Sequence, residues 1–373
     1  MGFVAITEDY PWDKLAPYVR RAKQHPGGIV DLSIGTPVDP TPKAVQAALA
    51  GAADAPGYPT VAGIPALRQA MVDWFARRRG VEGLTIDGVM ATIGSKELVG
   101  LLPSLLGIGA GDVVVIPASA YPTYEVGARA AGAEVLATDD VAAWAGDARV
   151  RLVWVNSPGN PTGAVAPVEK LREIVEAARG LGAVVASDEC YAELGWVEPW
   201  SSDGVPCLLD PRVAGDSHAG LLAAYSLSKQ SNLAGYRAGL LAGDTDLMAR
   251  IVLMRRHLGL MLPHPVQVAM AVALADDEHV AAQREIYRAR RALLLPALHA
   301  AGFTIDHSEA GLYLWARALD GGDCWATLDR LADLGIIAGA GAFYGPGSEH
   351  HVRFALTAPD DRIAAAAARL TAA

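Results

Sequence analysis

The residues best suited to chemistry in this chain fall in three short polar clusters, each following an apolar run. The first is Ser226-Leu227-Ser228-Lys229, with Gly235-Tyr236-Arg237-Ala238-Gly239 shortly after it. It follows the apolar stretch Leu221–Tyr225, so Lys229 emerges at the end of an expected strand, where open α/β sheets place their ligands. A lysine whose amine is partly deprotonated by its surroundings can form an imine with an aldehyde cofactor. Ser226 and Arg237 could both reach a phosphate, the arginine as a bidentate fork. The second cluster is Asn156-Ser157-Pro158-Gly159-Asn160-Pro161-Thr162-Gly163, and the third is Ser187-Asp188-Glu189-Cys190-Tyr191. Taken singly, these read equally well as a surface lysine, an Asn-Pro turn and a turn-capping aspartate. Three polar clusters at the C-terminal ends of three expected strands point together to one site.

The elements that must position them form an alternating pattern. Strands are expected at Gly88–Ile93, Asp112–Pro117, Glu134–Ala137, Val150–Val155, Ala183–Ser187, Leu221–Ser226 and Ala238–Ala242. Helices are expected between them at Glu97–Leu106, Tyr121–Ala131, Pro167–Leu181 and Thr245–Leu258. Nearly continuous apolar strands separated by helices imply an α/β architecture, a mostly parallel sheet covered on both faces. After about Ala275 the texture changes to a long helix, Asp277 to Ala301, with Arg284, Arg288, Arg290 and Arg291 on solvated faces. Strand-like pieces at Thr304–His307, Leu312–Ala316, Ile336–Ala340 and His351–Leu356 and a closing Ala-rich helix suggest a smaller α+β unit.

Composition narrows the class of protein. A chain of 373 residues, 52% hydrophobic and 19% charged, suits a globular enzyme with room for two domains. A net charge of -10 without a basic stripe argues against a nucleic-acid partner. Glu8, Asp9 and Asp13 stand where a signal peptide would need an apolar core, and Leu98–Ala120 is interrupted by Pro103, Asp112 and Pro117, so no membrane span is expected. Three scattered cysteines suggest a reducing cytoplasm, and nine histidines without metal spacing suggest no metal. The adjacent His350 and His351 read as a strand edge.

In this order and spacing the clusters resemble the class I/II aminotransferases of pyridoxal-phosphate (PLP) fold type I. Asn160 and Asp188 lie 28 residues apart, Lys229 and Arg237 lie 8 apart, and the likeness covers essentially the whole chain. It implies a seven-stranded, mostly parallel sheet sandwiched by helices. The expected division is an arm and part of the small domain at 1–44, a large PLP-binding domain at 45–274 and a small C-terminal domain at 275–373.

The resemblance also implies roles. Lys229 would hold the cofactor as a Schiff base, then move the substrate Cα proton to the cofactor C4′. Asp188 would pair with the pyridinium nitrogen, and Asn160 and Tyr191 would hydrogen-bond the 3′-oxygen. Tyr121 would stack on the ring. Ser95 and the backbone of Lys96, in Gly94-Ser95-Lys96, would cradle the phosphate at a helix start, with Ser226 and Arg237. The Lys96 side chain is free to face the substrate instead. Arg353 would clamp the substrate α-carboxylate, with Asn160 and Gly35 beside it, and Tyr58 would reach the phosphate of a neighbouring subunit in a homodimer.

Within the family, the run Ser226–Gly239 and the segment Asp31-Leu-Ser-Ile-Gly-Thr-Pro-Val-Asp-Pro look most like the actinobacterial N-succinyldiaminopimelate aminotransferase branch. That branch takes glutamate as donor in lysine and diaminopimelate synthesis. A dicarboxylic substrate needs a second cationic anchor, for which Lys96, Arg20, Arg21 and Lys23 are candidates. The alternatives are an aminotransferase for aspartate, alanine or an aromatic amino acid, or a cystathionine β-lyase working through the same lysine. A non-enzymatic PLP-binding regulator is the remote one, and the acidic balance counts against it.

Overall fold

The computed structural model describes residues 4–372. Seven strands form its central sheet, in the order Val89–Ile93, Ala238–Gly243, Leu221–Ser226, Val184–Asp188, Val150–Asn156, Val113–Ile116 and Glu134–Ala137. Ala238–Gly243 runs antiparallel to both of its neighbours, and every other pairing is parallel. The strands Leu221–Ser226 and Ala238–Gly243 are buried along their whole length. Both faces are covered by helices, so these strands read as apolar runs and not as an alternation.

The covering helices follow from their own sequence. In Val168–Leu181 the buried Leu171, Val175 and Ala178 recur on one face, and the helix stops at Gly182, whose φ of 67° is left-handed. Thr245–Leu258 starts where the Asp244 side chain accepts from the amides of Asp246 and Leu247, at 2.8 and 3.1 Å. The helix expected from Glu97 begins at Gly94, which puts Ser95 and Lys96 in its first turn.

A second apolar core joins Leu15, Ala22, Val30 and Leu32 to residues from Tyr287 to Leu370. Its four-stranded antiparallel sheet runs Gly339–Ala340, His351–Ala355, Tyr313–Ala318, Phe303–Ile305. The continuous strand expected over Ile336–Ala340 is broken in two. Ile336 and Ile337 pair in parallel with Val30 and Asp31, whereas Gly339 and Ala340 pair with Arg353 and Val352. A long-range partner captures each half, which periodicity does not reveal. That pairing draws the N-terminal segment 33–36 beside Arg353.

Two further expectations change. Arg290 is 3% exposed, not solvated, and binds Asp39 and Asp360, at 2.5 and 2.6 Å. Arg284, Arg288 and Arg291 are partly buried as well. His351 sits on an interior strand, stacked on Trp315 at 4.7 Å and bonded to Asp306 at 2.8 Å.

Candidate active site

Sheet register brings the three polar clusters together. Asn156 is paired with Asp188, and Asp188 with Ala224 of the strand that ends at Ser226. The Asn156 side chain donates to the Asp188 carbonyl at 2.9 Å and accepts from the Asn160 amide at 2.7 Å, which shapes the turn carrying Asn160. The Ser157–Pro158 and Asn160–Pro161 bonds in that turn are both cis. A cavity of about 270 Å³ opens at these strand ends. Asn160, Asp188, Tyr191, Ser226, Lys229, Arg237, Tyr121, Ser95, Lys96, Gly35 and Arg353 all line it.

One end of the cavity suits a phosphate. Gly239 is registered between Thr92 and Ser226, so the start of the helix Gly94–Leu105 abuts the Ser226 cluster. A Cβ on Gly239 would come within 2.8 Å of the Gly94 carbonyl carbon, and one on Gly94 within 2.8 Å of the Arg237 guanidinium carbon. Glycine is required at both positions to bring backbone and guanidinium this close. Arg237 itself has a φ of 56°, a strained conformation of the kind found at ligand sites. The first-turn amides of a twelve-residue helix, the Ser95 and Ser226 hydroxyls and an arginine make a suitable dianion cradle.

Another part of the cavity wall suits a cationic ring. Asp188 is buried, and burial raises its pKa, with hydrogen bonds from Cys190 and Tyr124 opposing that rise. Its partners are neutral: the Tyr124 hydroxyl at 2.9 Å and the Cys190 amide at 3.2 Å. A protonated pyridine nitrogen would supply the opposite charge. The phosphate cradle, this carboxylate and a nearby lysine therefore fit pyridoxal phosphate.

Lys229 projects into the cavity and donates to the Gly35 carbonyl. Burial depresses its pKa, helped by the Arg353 and Arg237 charges and opposed by Tyr313 and Cys190. More of it is therefore present as the nucleophilic neutral amine. Arg353 is 2% exposed and donates to Asn160 Oδ1 and to the Ser33 carbonyl, both at 2.7 Å. Gly35 thus enters the site through the lysine that its carbonyl holds.

At the cavity mouth the Lys96 ammonium lies 5.2 Å from the Tyr10 ring centroid and 5.7 Å from that of Tyr121. Burial lowers its pKa, but Tyr121 and Tyr10 outweigh this and hold it above the ordinary value. Its side chain faces the cavity. Of the other anchor candidates, Arg21 is engaged by Asp329 and Asp333, and Arg20, Arg21 and Lys23 are all absent from the cavity wall. Tyr58 is 98% exposed and remote from the site within one chain. Tyr10, Trp12, Tyr124, Cys190 and Tyr313 join the lining unforeseen. Two of them carried a sequence signal: Cys190 lies in the Ser187–Tyr191 cluster, and Tyr124, in Tyr121-Pro-Thr-Tyr124, has the helical spacing that places it on the same side as Tyr121.

The geometry has counterparts among known proteins. Residues 28–370 match the family model of aminotransferase class I and II. A probable aminotransferase of Mycobacterium tuberculosis is 53% identical over 371 residues, covering 99% of this chain and 87% of the relative. The 4-dedimethylamino-4-oxo-anhydrotetracycline transaminase OxyQ of Streptomyces rimosus is 52% identical over 366 residues, covering 97% and 99%. Among solved structures, a "probable N-succinyldiaminopimelate aminotransferase" from Thermus thermophilus superposes with a TM-score of 0.85 at 27% identity, covering 97% of this chain and 100% of that one. The chain therefore belongs to the class I and II aminotransferases, and it is a pyridoxal-phosphate-dependent enzyme of amino and 2-oxo acids.

Proposed function

We propose that this transaminase moves an amino group between glutamate and the N-succinylated 2,6-diaminopimelate skeleton. The charge balance of the cavity carries the reading. Lys96, Lys229, Arg237 and Arg353 line it against a single carboxylate, Asp188. Arg237 answers the cofactor phosphate, Lys229 its aldehyde carbon and Arg353 the substrate α-carboxylate, while Asp188 takes the ring nitrogen. Lys96 is left over. Among the described residues no carboxylate pairs with Lys96, and its half-buried ammonium beside Tyr10 and Tyr121 suits a second carboxylate on the substrate, which both glutamate and a succinylated diaminopimelate possess. The named activity of the Thermus relative supports the same substrate.

Pyridoxal phosphate, when bound, supplies an aldehyde carbon and an electron-withdrawing ring. Arg353, held at two nitrogens by Asn160 and Ser33, would orient the substrate by its α-carboxylate. Lys229, released from the Gly35 carbonyl, would carry the proton between substrate Cα and cofactor C4′. Asp188 would keep the ring nitrogen protonated, and Asn160 and Tyr191 would hydrogen-bond the 3′-oxygen. Tyr121 would cover the ring face. Tyr58, exposed on one chain, would complete the phosphate cradle of a second, so the working unit we infer is a homodimer.

A second reading has one observation in its favour, the 52% identity to the tetracycline-pathway transaminase. Stopped-flow spectroscopy of the half-reaction tests both. Rapid conversion to the pyridoxamine form by glutamate and by N-succinyl-LL-diaminopimelate is expected, with slow conversion by alanine, aspartate and phenylalanine. Amination of the oxo-anhydrotetracycline, with no response to the succinylated substrate, would establish the second reading. Pyruvate and ammonia from cystathionine would make the enzyme a lyase.

A further inference from the structure

We propose that Tyr313 is a positioning residue of the transamination site, its ring setting the plane of the Arg353 guanidinium and its hydroxyl setting the direction of the Tyr191 hydroxyl. The sheet dictates the first contact. Trp315 lies directly opposite Arg353 in the antiparallel pair, so Tyr313, two residues away on the same face, is its diagonal neighbour. The Arg353 guanidinium carbon sits 3.8 Å from the Tyr313 ring centroid, with the ring covering one face of the charge. Asn160 and Ser33 occupy two of the guanidinium nitrogens. Ring and acceptors together leave Arg353 one orientation for the α-carboxylate.

The hydroxyl makes the second contact. Tyr313 and Tyr191 oxygens are 3.1 Å apart, with rings 5.5 Å apart at 71°. Six titratable groups surround Tyr313: Arg353 and Tyr344 from the C-terminal strand and the loop before it, Tyr191 and Cys190 after the Asp188 strand, Lys229, and Tyr287 of the long helix. Burial raises the Tyr313 pKa, but the Arg353 and Lys229 charges outweigh it and bring the phenol below its ordinary value. Burial instead pushes Tyr191 up. Either oxygen can donate across this contact; we assign the donor to Tyr313, whose ring also covers the Arg353 charge. With Tyr313 donating, the Tyr191 proton must point elsewhere, into the cavity. Such a chain strengthens each donor in it. Tyr313 is also packed against Gly35, where an added Cβ would come within 2.9 Å of its ring carbons, so it buttresses the segment whose carbonyl holds Lys229.

This inference rests on the roles proposed for Tyr191 and Arg353, and the test separates the two layers. The holoenzyme's visible cofactor absorbance is titrated with pH, and KM is measured for glutamate and the succinylated substrate. Tyr313→Phe keeps the ring, so KM should change little, while the spectral midpoint rises by about half a pH unit to one, the size of one lost hydrogen bond. Tyr313→Leu should add a KM increase of roughly tenfold for both substrates, as expected for a desolvated cation–π contact. Tyr191→Phe is the control. A midpoint unmoved by Tyr191→Phe removes the reading of Tyr191 itself. A midpoint that responds to Tyr191→Phe and not to Tyr313→Phe overturns the role of Tyr313.

Discussion

The Tyr124 hydroxyl donates to Asp188 Oδ2 at 2.9 Å, from the first turn of the helix Thr123–Ala131. Its ring packs on Trp154 of the central sheet, with centroids 5.0 Å apart, which fixes where that hydroxyl points. This contact and the Cys190 amide hold the carboxylate in place without neutralising it. Asp188 is thereby fixed in a buried position among neutral partners, and the electron-withdrawing power of a bound ring would depend on it.

Asp188→Asn should retain some cofactor and lower the half-reaction rate by roughly a hundredfold or more, the range for losing a well-placed charge in a site. Tyr124→Phe removes one hydrogen bond and should cost about tenfold or less. Single-turnover rates check both, and an unchanged rate in Asp188→Asn would remove the electron-sink role.

The same carboxylate has a stability signature in the cofactor-free protein. Its folded pKa lies above the ordinary 3.8, so the folded state holds the proton more tightly than the unfolded one. Its contribution is complete below 3.8 and is lost as pH rises through the raised folded value. Urea titrations of the cofactor-free protein at pH 4 and pH 7 should show Asp188→Asn losing less stability over that interval than the parent, the two sharing every other titrating group.

Lys229 carries the opposite shift. Burial sets its pKa below 10.5, so the neutral amine accumulates at a lower pH than in a free lysine. The rate at which cofactor-free protein captures pyridoxal phosphate should rise with pH and level off below 10.5. A rate still climbing there would show an ordinary amine. Borohydride should fix the cofactor to Lys229, and Lys229→Ala should lower turnover by roughly 10²–10⁴-fold, the usual contribution of a positioned base.

Arg353→Gln should raise KM for both amino substrates, since both present an α-carboxylate. Truncating one partner of a buried charge pair costs about 2–5 kcal/mol, or roughly thirtyfold and upward in kcat/KM. An effect confined to one substrate would reject a shared clamp.

Lys96→Met should discriminate by substrate. Loss of a charged hydrogen bond of about 1.5–3 kcal/mol predicts a kcat/KM at least about tenfold lower for glutamate and the succinylated diaminopimelate, with alanine nearly unaffected. Equal losses for all three would assign Lys96 to the cofactor side.

If Tyr58 serves the neighbouring subunit's phosphate, mixing inactive Lys229→Ala with a Tyr58→Ala variant should restore one intact site per mixed dimer, raising activity above the sum of the parts. Additive activity would place each site within one chain.

Strands of the central sheet were legible to within a residue or two, because strands covered on both faces must be apolar along their length and stop at polar turns. Lys229, Asp188 and Asn160 were legible as a group because each follows such a strand, and the family likeness then named their chemistry. The helix start at Gly94 was displaced by three residues, since glycine and serine are poor helix formers that a backbone turn nevertheless requires here. Arg290 looked solvated because its two carboxylates, Asp39 and Asp360, lie far away in the chain.

By itself the sequence determined the α/β pattern, the order of the chemistry-bearing clusters and the family they belong to, all properties of local spacing. Only the tertiary structure decided which side chains share one cavity. Asn156 meets Asp188 through strand register, Gly35 meets Lys229 because Val30 and Asp31 pair with Ile336 and Ile337, and Tyr313 meets Arg353 across an antiparallel pair. It also decided which charges are buried, and burial is what depresses Lys229 and raises Asp188. Proximity and desolvation are set by partners tens to nearly two hundred residues apart, and no local pattern records them.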